Sequence, residues 1–182
     1  MGLRGRGMQS ERDEDRLASL AVVLPLALTG FVVAAGCWTL FAVAGVHLRA
    51  DLGLSSLQFG VLLAMPMAVS AILAIPAGLA AQRYGAREVM LLCLCGLAVC
   101  MGILLLTNTY AGYLIAAAGL GLAGGFYGAG LQFVISHCQT RRLGLVLGVF
   151  GSGVTGAGFN YYLVPLFHEA FSWQGVPLAY LI

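Results

Sequence analysis

Charged side chains are missing from four long stretches of this 182-residue chain, and no other feature so limits the folds open to it. No Asp, Glu, Lys or Arg lies between Arg16 and Arg49, between Asp51 and Arg83, between Glu88 and Arg141, or between Arg142 and Glu169. The runs are 32, 31, 52 and 26 residues long. About 20 apolar residues in a helix cross a bilayer, so each run can span once and the third twice. Hydrophobic residues make up 60% of the chain and charged residues 9%, against roughly 25% charged in a soluble domain. A chain this short has too little interior to hide so much apolar surface from water. The expected class is an all-α membrane protein, with lipid as its first partner. Transport, sensing and membrane-embedded chemistry are the functions open to it. A net charge of +2 gives nucleic-acid binding no support.

The run boundaries set the topology. Residues 1–16 form an arginine-rich N-terminal tail, and 17–182 the membrane domain. The first apolar run is about twice the length of a signal-peptide core, so it reads as a retained span near Leu20–Ala44. The second span is expected over Phe59–Ala80, capped by Ser55 or Ser56, whose hydroxyl can accept an orphan N–H. Pro66 and Pro76 fall inside it, which neighbouring helices in a membrane tolerate. The third covers Val89–Leu106. As one helix the 52-residue run would extend ~78 Å at 1.5 Å per residue. It must therefore fold back, and Thr107-Asn108-Thr109 is the break before a fourth span over Tyr110–Ile135. A fifth covers Leu143–Phe167. After Trp173 a sixth apolar segment begins, and the seven residues to Ile182 are too few to cross. Arg4, Arg6, Arg12, Arg16, Arg83, Arg87, Arg141 and Arg142 share one side, and Arg49 stands alone on the other. The positive-inside rule makes the N-terminus cytoplasmic, and an integral protein of the plasma (inner) membrane is expected.

Soluble-enzyme chemistry finds no foothold. Cys37, Cys93, Cys95 and Cys100 lie in apolar runs and Cys138 beside Arg141 and Arg142, where Cys serves as a small apolar residue. His47, His137 and His168 are scattered at span ends. No carboxylate pair, metal spacing or nucleophile triad occurs, so neither an enzyme nor a cofactor is expected. Gly119-Leu-Gly121-Leu-Ala-Gly124 spells a dinucleotide-binding pattern, but that pattern needs a strand before it and an acid about 20 residues on. Here it lies inside a span, and the residue at that distance is Gly144. The glycines suit a different role. Gly144, Gly148, Ser152 and Gly156 recur every four residues on span 5, with Gly151 and Gly153 between them. Gly121 and Gly125, with Gly124 and Gly128, do likewise on span 4. Lipid gives no hydrophobic drive for helix pairing, so close backbone approach must supply it. Such ridges also allow helices to rock.

The loop between spans 2 and 3 carries a family signature. Gly78-Leu-Ala-Ala-Gln82-Arg83-Tyr84-Gly85-Ala86-Arg87 resembles the G-x-x-x-D-R-x-G-R-R/K loop of the major facilitator superfamily. Gly78, Arg83, Gly85 and Arg87 match, whereas Gln82 takes the place of the acid and Ala86 that of a basic residue. The resemblance implies a cytoplasmic gating loop, engaged in one conformation and released in the other. It narrows to the nitrate/nitrite porters through Leu52-Gly-Leu-Ser-Ser-Leu-Gln58-Phe59-Gly60 with Pro66, Pro76 and Gly78. Gly124-Gly125-Phe126, Val134-Ile135-Ser136, Phe150-Gly151-Ser152-Gly153 and Trp173-Gln174 add to it. The likeness runs from about Trp38 to the end. It implies the N-terminal six-helix half of a major facilitator fold, with five complete spans and a truncated sixth. The second half would come from a C-terminal half or a second transporter chain.

Two positions depart from those porters. There, a span 2 arginine two residues before a proline binds the anion; here Ala74 precedes Pro76 by two. In span 5 an asparagine is expected within G-x-G-N-x-G, and Val154 stands in its place. Arginine suits planar oxyanions through its bidentate fork, and a buried anion without a counter-charge is costly. The polar and aromatic groups left for a small anion or other small solute are Trp38 and Phe41, Tyr127 and Gln132, and Asn160 and Tyr161. The aromatics also suit helix packing or interface anchoring. Trp38, Tyr127, Gln132 and Asn160 are the candidate substrate pathway. A transporter of small solutes by alternating access is the expected function. A non-transporting remnant, or an assembly partner of a full-length porter, is the alternative.

Overall fold

The computed structural model describes residues 22–43, 45, 49, 53–138, 142–159 and 161–162. All regular structure among these residues is helical. Helix α1 is Val22–Val43, α2 is Ser56–Tyr84 and α3 is Ala86–Leu106. The fourth crossing has two pieces, α4 (Tyr110–Leu120) and α5 (Leu122–His137), together long and apolar enough to span. Helix α6 (Leu143–Gly151) continues through a 3-10 turn, Ser152–Thr155, to Phe159. Four helical segments thus reach membrane-crossing length, and Leu143–Phe159 is a shorter apolar helix. The expected tail 1–16 and the sixth apolar segment lie outside the described residues, as does the part of span 5 beyond Tyr162.

Local chemistry fixes where the helices stop. Ser55 caps α2: its Oγ accepts from the Gln58 N–H at 3.2 Å, and the Gln58 Oε1 accepts from the Ser55 N–H at 3.0 Å. This reciprocal capping box satisfies two otherwise orphaned donors, so α2 begins three residues before the expected Phe59. At the far end Gly85 turns the chain with φ +103°, a conformation closed to most side chains. It separates α2 from α3 by one residue. Helix α2 runs unbroken through Pro66 and Pro76. Thr107–Thr109 interrupts the long third run as expected, and the Thr109 Oγ1 accepts from the Gly112 N–H at 3.3 Å.

Small residues bring the helices together. On α1 the buried face is Ala27, Phe31, Ala34, Ala35, Leu40 and Phe41, spaced by about one helical turn. Helices α2 and α5 meet closely. A Cβ added to Gly124 would lie 2.5 Å from the Ser70 carbonyl oxygen, and one on Gly128 would strike the Ala74 carbonyl. The joint between α4 and α5 sits against the same stretch of α2. A Cβ on Gly121 would lie 2.5 Å from the Val69 Cβ, and the Gly121 carbonyl accepts a hydrogen bond from the Ser70 Oγ at 3.0 Å. The outward side of α2 is apolar, with Ile72 70%, Ile75 72% and Leu79 61% exposed. Lipid or another transmembrane helix can cover such a stripe, whereas water would drive it to aggregate.

The ridge expected on span 5 divides. Gly156 presses against the Val32 carbonyl of α1, and a Cβ on Gly153 would lie 2.5 Å from the Phe31 ring. A Cβ on Gly144, Gly148 or Gly151 would meet nothing within 4 Å. The 3-10 turn explains the split: at about three residues per turn it rotates the lower glycines away from the face that Gly156 presents.

Candidate functional site

A cavity of about 410 Å³ opens where α1, α2, α5 and α6 converge. Helix α1 supplies Phe31, Ala35 and Trp38; α2 supplies Met67, Ser70 and Ala74; α5 supplies Gly124 and Tyr127; and Gly151 and Val154 close the fourth wall. At about 30 Å³ per water it has room for roughly a dozen, and it lies in the size range of small-molecule pockets. Its existence depends on the small residues around it. Close approach of Gly124 and Gly128 to α2 fixes how α5 is turned, and that rotation carries Tyr127 to the cavity wall.

The cavity unites both positions at which the chain departs from the nitrate-porter pattern. Ala74 and Val154 are 80 residues apart in sequence and line the same space. No ionisable carboxylate, guanidinium, amine or imidazole is among the described lining residues. The hydrogen-bonding inventory is short. Trp38 lines the space, but its Nε1 has almost no accessible surface and no hydrogen-bond partner, so that nitrogen is shut off from the cavity. An indole nitrogen only donates, and an unmade bond at a buried donor costs about 1–3 kcal/mol. The Ser70 hydroxyl proton is committed to the Gly121 carbonyl. Tyr127 adds a phenol and packs its ring on Phe31 at 5.1 Å, while Phe31 stacks on Phe150 at 5.1 Å and Tyr127 on Phe150 at 6.0 Å. Three rings in mutual contact make a stiff aromatic floor.

Of the four candidate pathway residues, Trp38 and Tyr127 meet in this cavity. Gln132 lies two helical positions past Gly130 on α5, half-buried and away from the cavity lining. Asn160 lies outside the described residues. Sequence reasoning passed over Phe31 and Ser70, and read Gly124 only as part of the span 4 packing ridge. Ser70 had a legible signal, being the one polar residue in the stretch from Phe59 to Ala81. Phe31 had none, because aromatic residues are unremarkable in an apolar span.

The loop residues gather at one end of the bundle. Gly85 forms the α2–α3 turn, its N–H donating to the Ala81 carbonyl at 3.1 Å. Gly78 lies within α2, where a Cβ would stand 3.8 Å from the Gly128 carbonyl oxygen. Gln82, Arg83 and Arg87 are exposed. Arg83 lies over the Tyr84 ring at 5.6 Å, and no ion pair forms among the described residues. With Gln82 in the acid's position, no carboxylate stands beside Arg83 in the motif. Arg49 sits at the opposite end, its Nη2 donating to the Ser56 Oγ at 3.0 Å.

The family profile described as Major Facilitator Superfamily matches residues 26–182. The chain belongs to the Major Facilitator Superfamily. Among curated proteins it is similar to "Probable nitrate/nitrite antiporter NarK1" of Thermus thermophilus, with 30% identity over 143 residues, covering 79% of this chain and 32% of the relative. It is also similar to "Probable nitrate transporter NarT" of Staphylococcus carnosus (strain TM300), 26% identical over 157 residues, covering 85% of this chain and 39% of the relative. The protein of the same name from Staphylococcus aureus (strain JH9) is 24% identical over 161 residues, covering 87% and 41%. The superfamily chain therefore spans about a third to two-fifths of the length of these relatives. No solved structure matches it significantly.

Proposed function

We propose that this chain forms the N-terminal half of a membrane transporter for small solutes that works by alternating access with a second half. The observation that carries the reading is the cavity between α1, α2, α5 and α6, set among helices in glycine-mediated contact. The nitrate- and nitrite-porter relatives, low in identity, support the transporter class. The six-helix arrangement belongs to this proposal, with a sixth span completed beside the five. Gly144, Gly148 and Gly151, which meet no neighbour, are free to take a helix of the second half at close range. Gly121, Gly125, Gly153 and Gly156 hold helices within this half. The Gly78–Arg87 loop, with Gln82, Arg83 and Gly85, acts as the cytoplasmic gate, working through hydrogen bonds rather than an ion pair. The N-terminus is cytoplasmic, and the membrane is the plasma membrane of a bacterium.

A second reading has its own observation. Ala74 and Val154 remove the charge and amide expected to hold an oxyanion, as a non-transporting assembly partner of a full-length porter would permit. Uptake in a porter-null host separates the two. The chain is co-expressed with a matching C-terminal half, and accumulation of nitrate, nitrite and small uncharged solutes is followed. Accumulation of any of them above the empty-vector control supports transport. Absence of uptake for every solute, with both chains present in the membrane, refutes it.

A further inference from the structure

A second space, a trough of about 410 Å³ between α2 and α3, shares none of its described lining residues with the cavity above. Leu73, Ala77, Ala80 and Tyr84 recur at helical spacing along its α2 wall, and Glu88 and Leu92 stand on the α3 wall. Its floor is Gly125 of α5 beside Cys93. A Cβ on Gly125 would lie 3.3 Å from the Ala77 Cβ and 3.2 Å from the Cys93 Sγ, so the glycine keeps the floor deep. Both walls are helices long and apolar enough to cross a membrane, and the rim residues Leu92 and Tyr84 are each 68% exposed. From Leu73 to Tyr84 the trough runs ~16 Å at 1.5 Å per residue. One leaflet of hydrocarbon is about 15 Å deep. The trough is polar at the end where Gly85 joins the helices: Tyr84 and Glu88 line it, and the Arg83 guanidinium lies 5.6 Å from the Tyr84 ring centre.

We propose that this trough is a binding site for one phospholipid with a primary-ammonium headgroup, phosphatidylethanolamine, from the leaflet on the Arg83 side. An acyl chain lies over Ala77, Ala80 and Gly125, where small residues leave room for an unbranched chain. The headgroup sits at the Gly85 turn, its ammonium on the Glu88 carboxylate and its phosphate towards Arg83. Charge complementarity selects this lipid among those of equal chain length. A primary ammonium donates charge-assisted hydrogen bonds to a carboxylate; the quaternary ammonium of phosphatidylcholine has no N–H to donate. Phosphatidylglycerol brings a phosphate without a cation, so Glu88 repels it while Arg83 attracts it.

Native mass spectrometry of the whole chain tests the site. The purified protein in detergent is given equimolar phosphatidylethanolamine, phosphatidylcholine and phosphatidylglycerol with identical acyl chains, and the lipid retained is counted by mass. Phosphatidylethanolamine should be retained about three- to fivefold over either of the others, the size expected of a partly exposed ion pair. Glu88 is exposed, so Glu88→Gln leaves the packing intact and should bring the ratio to phosphatidylcholine down to about one. Ala80→Phe fills the trough and should abolish the preference without touching either charge. Equal retention of the three lipids by the unaltered chain overturns the proposal, as does a preference for phosphatidylglycerol. A preference for phosphatidylethanolamine that survives Glu88→Gln overturns the headgroup contact, and one that survives Ala80→Phe overturns the trough as the seat of the acyl chain.

Discussion

Gly124 meets backbone where Gly144 meets nothing, although both are glycines in apolar helices. Composition treats them alike; the neighbour decides. At Gly124 an added Cβ would stand 2.5 Å from the Ser70 carbonyl oxygen and 2.7 Å from its Cα. Main chain cannot rotate aside as a side chain can, so α5 would have to move off α2. Gly124→Val is expected to destabilise the protein by about 1–3 kcal/mol, the usual range for overpacking a close contact, whereas Gly144→Val in this chain alone changes stability little. Thermal unfolding of both variants in the same detergent checks this, and equal melting points would contradict the α2–α5 contact. The Ser55 cap is a second residue-scale case. Ser55→Ala removes the acceptor for the Gln58 N–H and should cost about 1 kcal/mol. Faster amide exchange confined to the first turn of α2 would show it. The sequence narrowed this cap to Ser55 or Ser56, because a hydroxyl before an apolar run has a local meaning, and the bonds with Gln58 decide for Ser55. The indole of Trp38 was readable only as a candidate, since whether a donor finds an acceptor depends on residues far away in the chain.

Between α4 and α5 the fourth crossing is jointed at Gly121, a feature the unbroken apolar run gave no hint of. The Gly121 N–H donates to the Ala118 carbonyl at 3.0 Å, and its own carbonyl accepts from both the Gly124 N–H and the Ser70 hydroxyl. The i to i+3 bonds tighten the turn as a 3-10 segment does. The nearest obstacle to a side chain there is Val69, not backbone of α2. Gly121→Ala should therefore destabilise the bundle, and Val69→Ala in the same chain, which removes the Cγ1 at 2.6 Å but keeps the Cβ at 2.5 Å, should restore only part of the loss. A double-mutant cycle by thermal unfolding measures that coupling; strictly additive effects would place the strain elsewhere. The 3-10 turn at Ser152–Thr155 has a comparable consequence on the last helix. A spacing of four predicts one glycine ridge for a regular helix, and the change of pitch breaks it into an inward end at Gly153 and Gly156 and an open end at Gly144 and Gly148. Periodicity arguments assume constant pitch, and these two joints are where the assumption fails.

At the scale of the whole molecule, the helices run antiparallel, with Arg83, Arg87 and Arg142 at one end and Arg49 at the other. Tyr110 ties the second end together, its hydroxyl donating to the Gln58 carbonyl across 52 residues of sequence at 3.1 Å. The proposed orientation puts the Arg83 end in the cytoplasm. In a cysteine-free background, Gln82→Cys should react with a membrane-impermeant maleimide only after permeabilisation, and Asn108→Cys in intact cells. The reverse pattern would overturn the cytoplasmic N-terminus.

The sequence by itself determined the class, the limits of most spans, the cap at the start of α2 and the superfamily. Each of these depends on local composition, on the length a bilayer demands or on a contiguous motif. Tertiary structure decided which residues face one another. The rotation of each helix about its axis is set by close contacts such as Gly128 on Ala74 and Gly156 on Val32. Those contacts join segments that are not neighbours in the chain. Only there do Ala74 and Val154 become two walls of one cavity, with Trp38 in the third.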